Sequence, residues 1–127
     1  MTGTYHDPDT GAYYVQGTWA SSNEFYVAYW LEKWGHEDDY IFQYKLMGSN
    51  ERGSIRVDFV LWNTNHCTMP TPIEVDVEHW HQDKYSGEAT FRSAMIMQTF
   101  GMEPISLSDE ETNSLENAKR TVRKKLL

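Results

Sequence analysis

The chain has 127 residues, of which 39 % are hydrophobic and 14 % aromatic, and its formal net charge is −8. This length and apolar content predict a single domain over residues 1–127 with a core of its own. The sequence has no apolar run of about 18 residues and no basic and apolar leader at its start, so we expect a soluble, intracellular protein of the cytoplasm, without a membrane span. The single cysteine, Cys67, excludes an internal disulfide and a zinc site built from several cysteines.

The acidic balance argues against a broad basic surface for non-specific binding of nucleic acid. The charges are unevenly distributed, because five of the eleven basic residues lie in the last nine positions: Lys119, Arg120, Arg123, Lys124 and Lys125. The rest of the chain is therefore more acidic than the total suggests. Such a chain either gains solubility from its carboxylates or holds a group of them for a divalent metal.

The first third of the chain predicts an extended arm followed by a helix. Residues 1–20 combine the turn sequence DPDTG with the β-rich YYV, which favours an extended or hairpin-like arm. Ser21 and Glu24 then match the capping-box pattern, and the following FYVAYWLEKW is typical of a helix that Gly35 ends.

The remaining elements are three strands followed by a helix, a strand and a final helix. Strands are predicted at 40–46, 54–62 and 72–79, a helix at 88–100, a short strand at 103–107 and a final helix at 109–127. Ser108 is the predicted N-cap of the final helix. We therefore predict an α/β (α+β) fold in the order α-β-β-β-α-β-α, with a mixed central sheet flanked by helices and its first three strands antiparallel.

Carboxylates interrupt two of these apolar strands. Strand side chains alternate between the two faces of a sheet, so the predicted apolar face of the second strand carries Ile55, Val57, Phe59 and Leu61. Asp58 then lies on the opposite face. In the next strand Glu74, Asp76 and Glu78 alternate with Ile73, Val75 and Val77. If the apolar faces of the two strands align, Asp58 shares a face with Glu74 and Asp76.

Neighbouring buried carboxylates need a cation, because burial of each unpaired charge costs several kcal/mol and the charges repel one another. Mg²⁺, Mn²⁺ and Ca²⁺ take oxygen ligands, and such sites serve metal-assisted hydrolysis of phosphodiesters. Glu24 is a further candidate ligand, because its spacing from Val27, Ala28 and Leu31 directs it toward the core. The alternative is that Glu24 serves only as the capping-box glutamate.

Four segments together resemble a known family: NEFYVAYWLEKWG, YIFQYKL, GSIRVDFVLW and PIEVDVEHWH. In order and alternation, residues 21–107 resemble the PD-(D/E)XK nuclease superfamily with its restriction-endonuclease-like fold. They are similar in particular to small phage-type and very-short-patch-repair-like endonucleases. The resemblance implies a Mg²⁺- or Mn²⁺-dependent endonuclease that acts on DNA and belongs to a group whose members often form homodimers.

The resemblance also implies roles for individual residues. Asp58 corresponds to the metal-binding aspartate, Glu74 to the acid of the (D/E)XK strand, and Glu24 to the acid on the first helix. His81 lies where related enzymes keep a histidine that assists proton transfer. Asp76 stands at the lysine position, so Asp76 would hold a metal or the missing cation would come from elsewhere. The candidate replacements are Lys45 and Lys84, and Arg92 and Gln98 are candidate contacts to phosphate or the metal shell.

Two alternatives remain open. A cupin-type metal protein would use His79 and His81 with Glu74 or Glu78, because a His-x-His spacing places both imidazoles on one strand face. Its weakness is the pair of long helical segments, which fit a barrel poorly. A nuclease-like scaffold that has lost catalysis would instead bind a protein partner through aromatic side chains of the arm between Tyr5 and Trp19.

Overall fold

The computed structural model describes residues 3–46, 55–75 and 87–127, with only the backbone for residues 87–90.

The predicted arm is a three-stranded antiparallel sheet of β1 (Thr4–His6), β2 (Tyr13–Val15) and β3 (Thr18–Ala20). Gln16 and Gly17 connect β2 to β3 with positive φ angles of 50° and 81°. Two such residues match the right-handed twist of a tight hairpin, which explains why the arm folds back into a sheet.

Helix α1 (Ser22–Lys33) begins as predicted. The Ser21 hydroxyl accepts a hydrogen bond from the Glu24 backbone N–H, and the Glu24 carboxylate accepts one from the Ser21 N–H, so the capping box is confirmed. Gly35, at a φ of 86°, follows the end of the helix and turns the chain toward the second sheet.

The second sheet has four strands in the order β4 (Tyr40–Lys45), β5 (Arg56–Leu61), β6 (Thr71–Val75) and β7 (Ile105–Leu107). The pairs β4–β5 and β5–β6 are antiparallel, which confirms the predicted meander, whereas β6 and β7 are parallel. Helix α2 (Gly87–Phe100) precedes β7 in the chain. All five residues of β6 are buried, because the strand lies inside the sheet and both of its faces are covered.

The predicted final helix is wrong as a single element. The chain forms α3 (Asp109–Thr112), then α4 (Leu115–Thr121), then a π-helical segment over Val122–Leu126. Ser108 is the N-cap of α3, as predicted, and Ser114 is a second N-cap whose hydroxyl accepts from the Asn117 N–H. This second cap restarts the helix, because a serine side chain competes for backbone groups at a helix start.

The mixed α/β class is therefore confirmed, while the predicted order α-β-β-β-α-β-α is wrong at both ends. Three strands precede the first helix, and the C-terminal helix is divided. Between Ser22 and Leu107 the described elements run helix, three strands, helix, strand. No helix in the described parts of the chain is long and apolar enough to cross a membrane.

Two apolar clusters pack around the four-stranded sheet. The larger one joins Phe42, Phe59 and Ile73 to α1 and to the C-terminal residues Val122 and Leu126. The smaller one contains Leu46, Val57, Val60 and Ile96, with Tyr44 and Phe100 packed against it. We call the corresponding sides of the sheet the α1 side and the α2 side.

The alternation of side chains changes phase within β4 and β5. Phe42 and Phe59 belong to the cluster on the α1 side, whereas Tyr44 and Val57 belong to the cluster on the α2 side. Regular strands would place Phe42 with Tyr44 and Val57 with Phe59. The expectation that Ile55, Val57, Phe59 and Leu61 share one face is therefore wrong. The change occurs at Asp58 and at the residue beside it in the β4–β5 register, Gln43, whose φ is 56°.

Candidate carboxylate site

Asp58 lies just beyond the last paired residues of β5 and β6, in what we call the fork between these strands. The two strands pair through Phe59 and Ile73, and one residue further the Val75 backbone N–H donates to Oδ2 of Asp58 at 2.8 Å. The carboxylate thus takes a position that a backbone carbonyl would fill in a continuous ladder. Continuing the strand register by one residue sets Asp58 opposite Glu74.

Glu74 is a buried acid in the middle of the sheet, with a relative exposure of 3 %. Its register partner on β7 is Ser106, so strands cover both of its edges. One carboxylate oxygen, Oε1, accepts from the Arg92 guanidinium on α2, which forms an ion pair with Glu74. Within the described residues the other oxygen, Oε2, is buried and has no hydrogen-bond partner. Such an orphaned acceptor is costly, so a donor or a cation is expected to satisfy it.

Glu24 reaches the same region from the start of α1. Its Oε1 accepts from the Ser21 N–H at 2.8 Å, and its Oε2 accepts from the side-chain amide of Gln43 at 3.2 Å. Gln43 makes this contact from a left-handed backbone conformation, with a φ of 56°. The capping role predicted for Glu24 is therefore confirmed, and the same carboxylate is a neighbour of Asp58.

Burial and mutual repulsion raise the proton affinity of this group. Burial, followed by the nearby Glu74 carboxylate, raises the pKa of Asp58 to about 7, although the bond from Val75 opposes the rise. Burial and the charge of Asp58 raise the pKa of Glu24 to about 7. Burial also raises the pKa of Glu74, against the opposing effect of Arg92. Near neutral pH the three carboxyl groups therefore hold fewer than three full negative charges.

The structure brings together three of the predicted site residues, Glu24, Asp58 and Glu74. Asp76 and His81 lie outside the described residues, as do the other candidates on that stretch: Glu78, His79 and Lys84. Lys45 is the last residue of β4 and is exposed, and Gln98 is exposed on α2.

Sequence reasoning missed one residue of the site and assigned another a different contact. Gln43 carries no motif, and its position depends on a left-handed backbone that glutamine adopts only where the surrounding fold imposes it. Arg92 was a candidate for phosphate or the metal shell, and in the structure it pairs directly with Glu74. An arginine facing a buried acidic strand is the one signal that could have indicated this pair.

Asp58 and Glu74 are the described residues best placed to hold a cation. Within the described residues, no group of three or more His, Cys, Asp or Glu side chains is arranged to hold a metal ion. Mg²⁺ does not require such a group, because proteins usually bind it through one or two carboxylates together with waters and substrate phosphates. The unpartnered Oε2 of Glu74 beside Asp58 fits this mode of binding. Glu24 fits it less well, since both of its oxygens already accept hydrogen bonds.

The exposed face of the N-terminal sheet carries a second notable feature. Tyr5, Tyr14 and Trp19 are cross-strand neighbours, and Tyr5 and Trp19 are 55 % and 69 % exposed. Trp19 precedes the N-cap of α1 by two residues, so this aromatic row adjoins the helix that carries Glu24.

Comparisons of the chain with protein-family models, with curated proteins and with solved structures found no match.

Proposed function

We propose that this protein is a divalent-metal-dependent endonuclease that hydrolyses DNA phosphodiester bonds and has a restriction-endonuclease-like fold. The observation that carries the proposal is the buried, unpartnered Oε2 of Glu74 beside Asp58 in the fork between two strands. A buried carboxylate beside a half-buried one, both with raised pKa values, is poorly suited to a purely structural role, because removing each charge from water costs free energy. A bound Mg²⁺ or Mn²⁺ would offset that cost.

The order of elements between Ser22 and Leu107 supports the proposed fold. A helix, an antiparallel meander of three strands, a second helix and a strand parallel to the third are in keeping with the resemblance to PD-(D/E)XK nucleases. Asp58 and Glu74 lie on neighbouring strands, each next to the paired residues Phe59 and Ile73, and a shared metal site requires such proximity.

Each site residue would then have a distinct task. Asp58 and Glu74 would hold the metal, and Arg92 would balance the charge of Glu74 until the metal is present. Glu24, fixed by Ser21 and Gln43, would place its carboxyl group against Asp58. When bound, the metal would lower the pKa of a water and stabilise the charge that develops on the phosphate. Asp76 as a further metal ligand and His81 as a proton-transfer group remain part of the proposal.

The direct experiment is incubation of plain, nicked and branched DNA with Mg²⁺ or Mn²⁺. We expect wild type to cut at least one of these substrates, and Asp58→Asn and Glu74→Gln to lose at least about 100-fold in rate, the scale on which loss of a key transition-state contact is felt. The matched control is Asp38→Asn with Glu37→Gln, which removes the same number of carboxylates from an exposed turn and should cut normally. Cleavage by the two site variants at the wild-type rate would reject the proposal.

Metal binding can be measured independently of cleavage. At a Mn²⁺ concentration about 100 times the dissociation constant, binding to the folded state should raise the free energy of unfolding by about 2.7 kcal/mol. The gain should vanish in Glu74→Gln and persist in the turn variant. An equal gain in all three proteins would place the metal elsewhere.

The second candidate function is a nuclease-like scaffold that binds a protein and has no catalytic activity. Two observations favour it: Arg92 neutralises Glu74 without a metal, and the row of Tyr5, Tyr14 and Trp19 offers an exposed aromatic surface. The same cleavage experiment separates the two candidates, because the scaffold would cut none of the DNA substrates with either metal.

A further inference from the structure

Two cations face each other across the end of the four-stranded sheet. Lys45 on β4 and Arg56 on β5 are direct cross-strand partners, and both are exposed. Like charges in this arrangement destabilise an antiparallel pair. Neither side chain has an ion-pair partner in the described parts of the chain. The pair therefore has a net attraction for an anion.

This pair of cations lies next to the carboxylate site. Lys45 is two residues beyond Gln43 on β4, and Arg56 is two residues before Asp58 on β5, a separation of about 7 Å along each strand. Tyr44 and Val57, the intervening residues, pack in the cluster on the α2 side. Because side chains alternate along a strand, Lys45 and Arg56 point to the α1 side, the side of Glu24. Glu74 lies between Ile73 and Val75 of the cluster on the α1 side and so points to the α2 side, while Asp58 lies between Glu24 and Glu74 and interacts with both.

A nuclease with an acidic site needs cations beside that site. The net charge of −8 repels a DNA strand, and the ionised carboxyl groups of the site add to that repulsion where the scissile phosphate must approach. Arg92 points at Glu74 and does not provide an exposed charge for a flanking phosphate. Lys45 and Arg56 are exposed, have no ion-pair partner among the described residues, and lie two residues along their strands from Gln43 and Asp58.

We propose that Lys45 and Arg56 form a phosphate-binding site that holds the DNA backbone one or two nucleotides from the bond to be cut. This inference rests on the proposed endonuclease function and names the contact that brings the substrate to the carboxylates. Two cations on neighbouring strands can contact the oxygens of a single phosphate or of two successive ones. The contact reads no base, so it binds all DNA sequences alike.

The test measures the salt dependence of DNA binding. Fluorescein-labelled duplex and single-stranded DNA, with single-stranded RNA for comparison, would be titrated by anisotropy in Ca²⁺ at several KCl concentrations. The double variant Lys45→Gln/Arg56→Gln should reduce the slope of log K against log salt by about one to two, and weaken DNA binding about 10-fold or more at low salt. The control Arg120→Gln/Lys124→Gln removes two exposed cations from the C-terminal helical region and should leave the slope unchanged.

The outcomes separate this inference from the proposed function. The phosphate site would be overturned if the two double variants had equal salt slopes, or if their affinity for DNA fell equally. A loss of affinity confined to RNA would also overturn it. Cleavage by Asp58→Asn at the wild-type rate would instead reject the nuclease while leaving a measured slope difference intact. Thermal unfolding provides the check on folding: removal of the cation pair should leave the melting temperature unchanged or higher, because like-charge repulsion is relieved.

Discussion

Replacing Asp58 by asparagine should stabilise the metal-free protein at alkaline pH. The substitution removes a charge and retains an oxygen that can accept the hydrogen bond from the Val75 N–H. In the wild-type protein, burial and the nearby Glu74 raise the pKa of Asp58 from 3.8 to about 7. A rise of about three pKa units, at about 1.4 kcal/mol each, gives a ceiling of ~4 kcal/mol for the cost of ionising Asp58 in the folded state.

The sign of the pH dependence follows from the direction of this change. A carboxyl group whose pKa is higher in the folded than in the unfolded protein contributes its full stability below the unfolded pKa of about 4. That contribution is lost as the pH rises through about 7. Wild type should therefore lose stability between about pH 4 and pH 8, and Asp58→Asn should lose less. Glu24 has a raised pKa as well, so some pH dependence should remain in the variant.

Urea denaturation with EDTA present measures this effect directly. Allowing for structural relaxation and water entry, we expect Asp58→Asn to be more stable than wild type by about 2 kcal/mol near pH 8.5 and by less than about 1 kcal/mol near pH 4.5. The exposed Asp38→Asn serves as the matched control and should follow wild type at both pH values. A variant that is less stable than wild type at pH 8.5, or that keeps the full wild-type pH dependence, would refute the reasoning.

Two further substitutions test the contacts around the site. In urea denaturation near pH 8, Arg92→Met should lower the free energy of unfolding by about 3 kcal/mol, because it leaves the Glu74 carboxylate buried without its cation. Adding Glu74→Gln should recover most of that loss. An Arg92→Met variant as stable as wild type would contradict this reasoning. Gln16→Ala should cost about 2 kcal/mol, because the Gln16 amide donates to the Tyr40 carbonyl and accepts from the Phe42 N–H. Faster hydrogen exchange at Phe42 would accompany that loss, and unaltered exchange there would show that this contact is unimportant.

The central part of the fold could be predicted from the sequence because its signals are local. The Ser21 and Glu24 capping box, the antiparallel meander and the Ser108 cap each depend on residues close in the chain. The division of the last helix escaped prediction because Asn113 and Ser114 are compatible with both a helix interior and a new N-cap. Which of these forms is decided by packing against the rest of the molecule.

The candidate site was only partly predictable for a related reason. Regular alternation brought Asp58 and Glu74 to one face, but the structure places Asp58 in a fork where that alternation changes phase. The change coincides with Gln43, whose left-handed backbone no local pattern indicates. The pairing of Arg92 with Glu74 joins elements 18 residues apart and depends on how α2 packs on the sheet. Side-chain periodicity describes ideal strands and therefore fails where a strand is distorted.

The amide of Gln16 has a consequence for how copies of this protein could associate. The Gln16 side chain bonds to the Tyr40 carbonyl and the Phe42 N–H, and so it occupies backbone groups of the edge strand β4 that another strand could otherwise pair with. That stretch is thereby closed to a strand from another molecule, which is the commonest route by which uncovered β-structure polymerises. A homodimer of this chain would accordingly not form by extending the sheet past Tyr40 and Phe42.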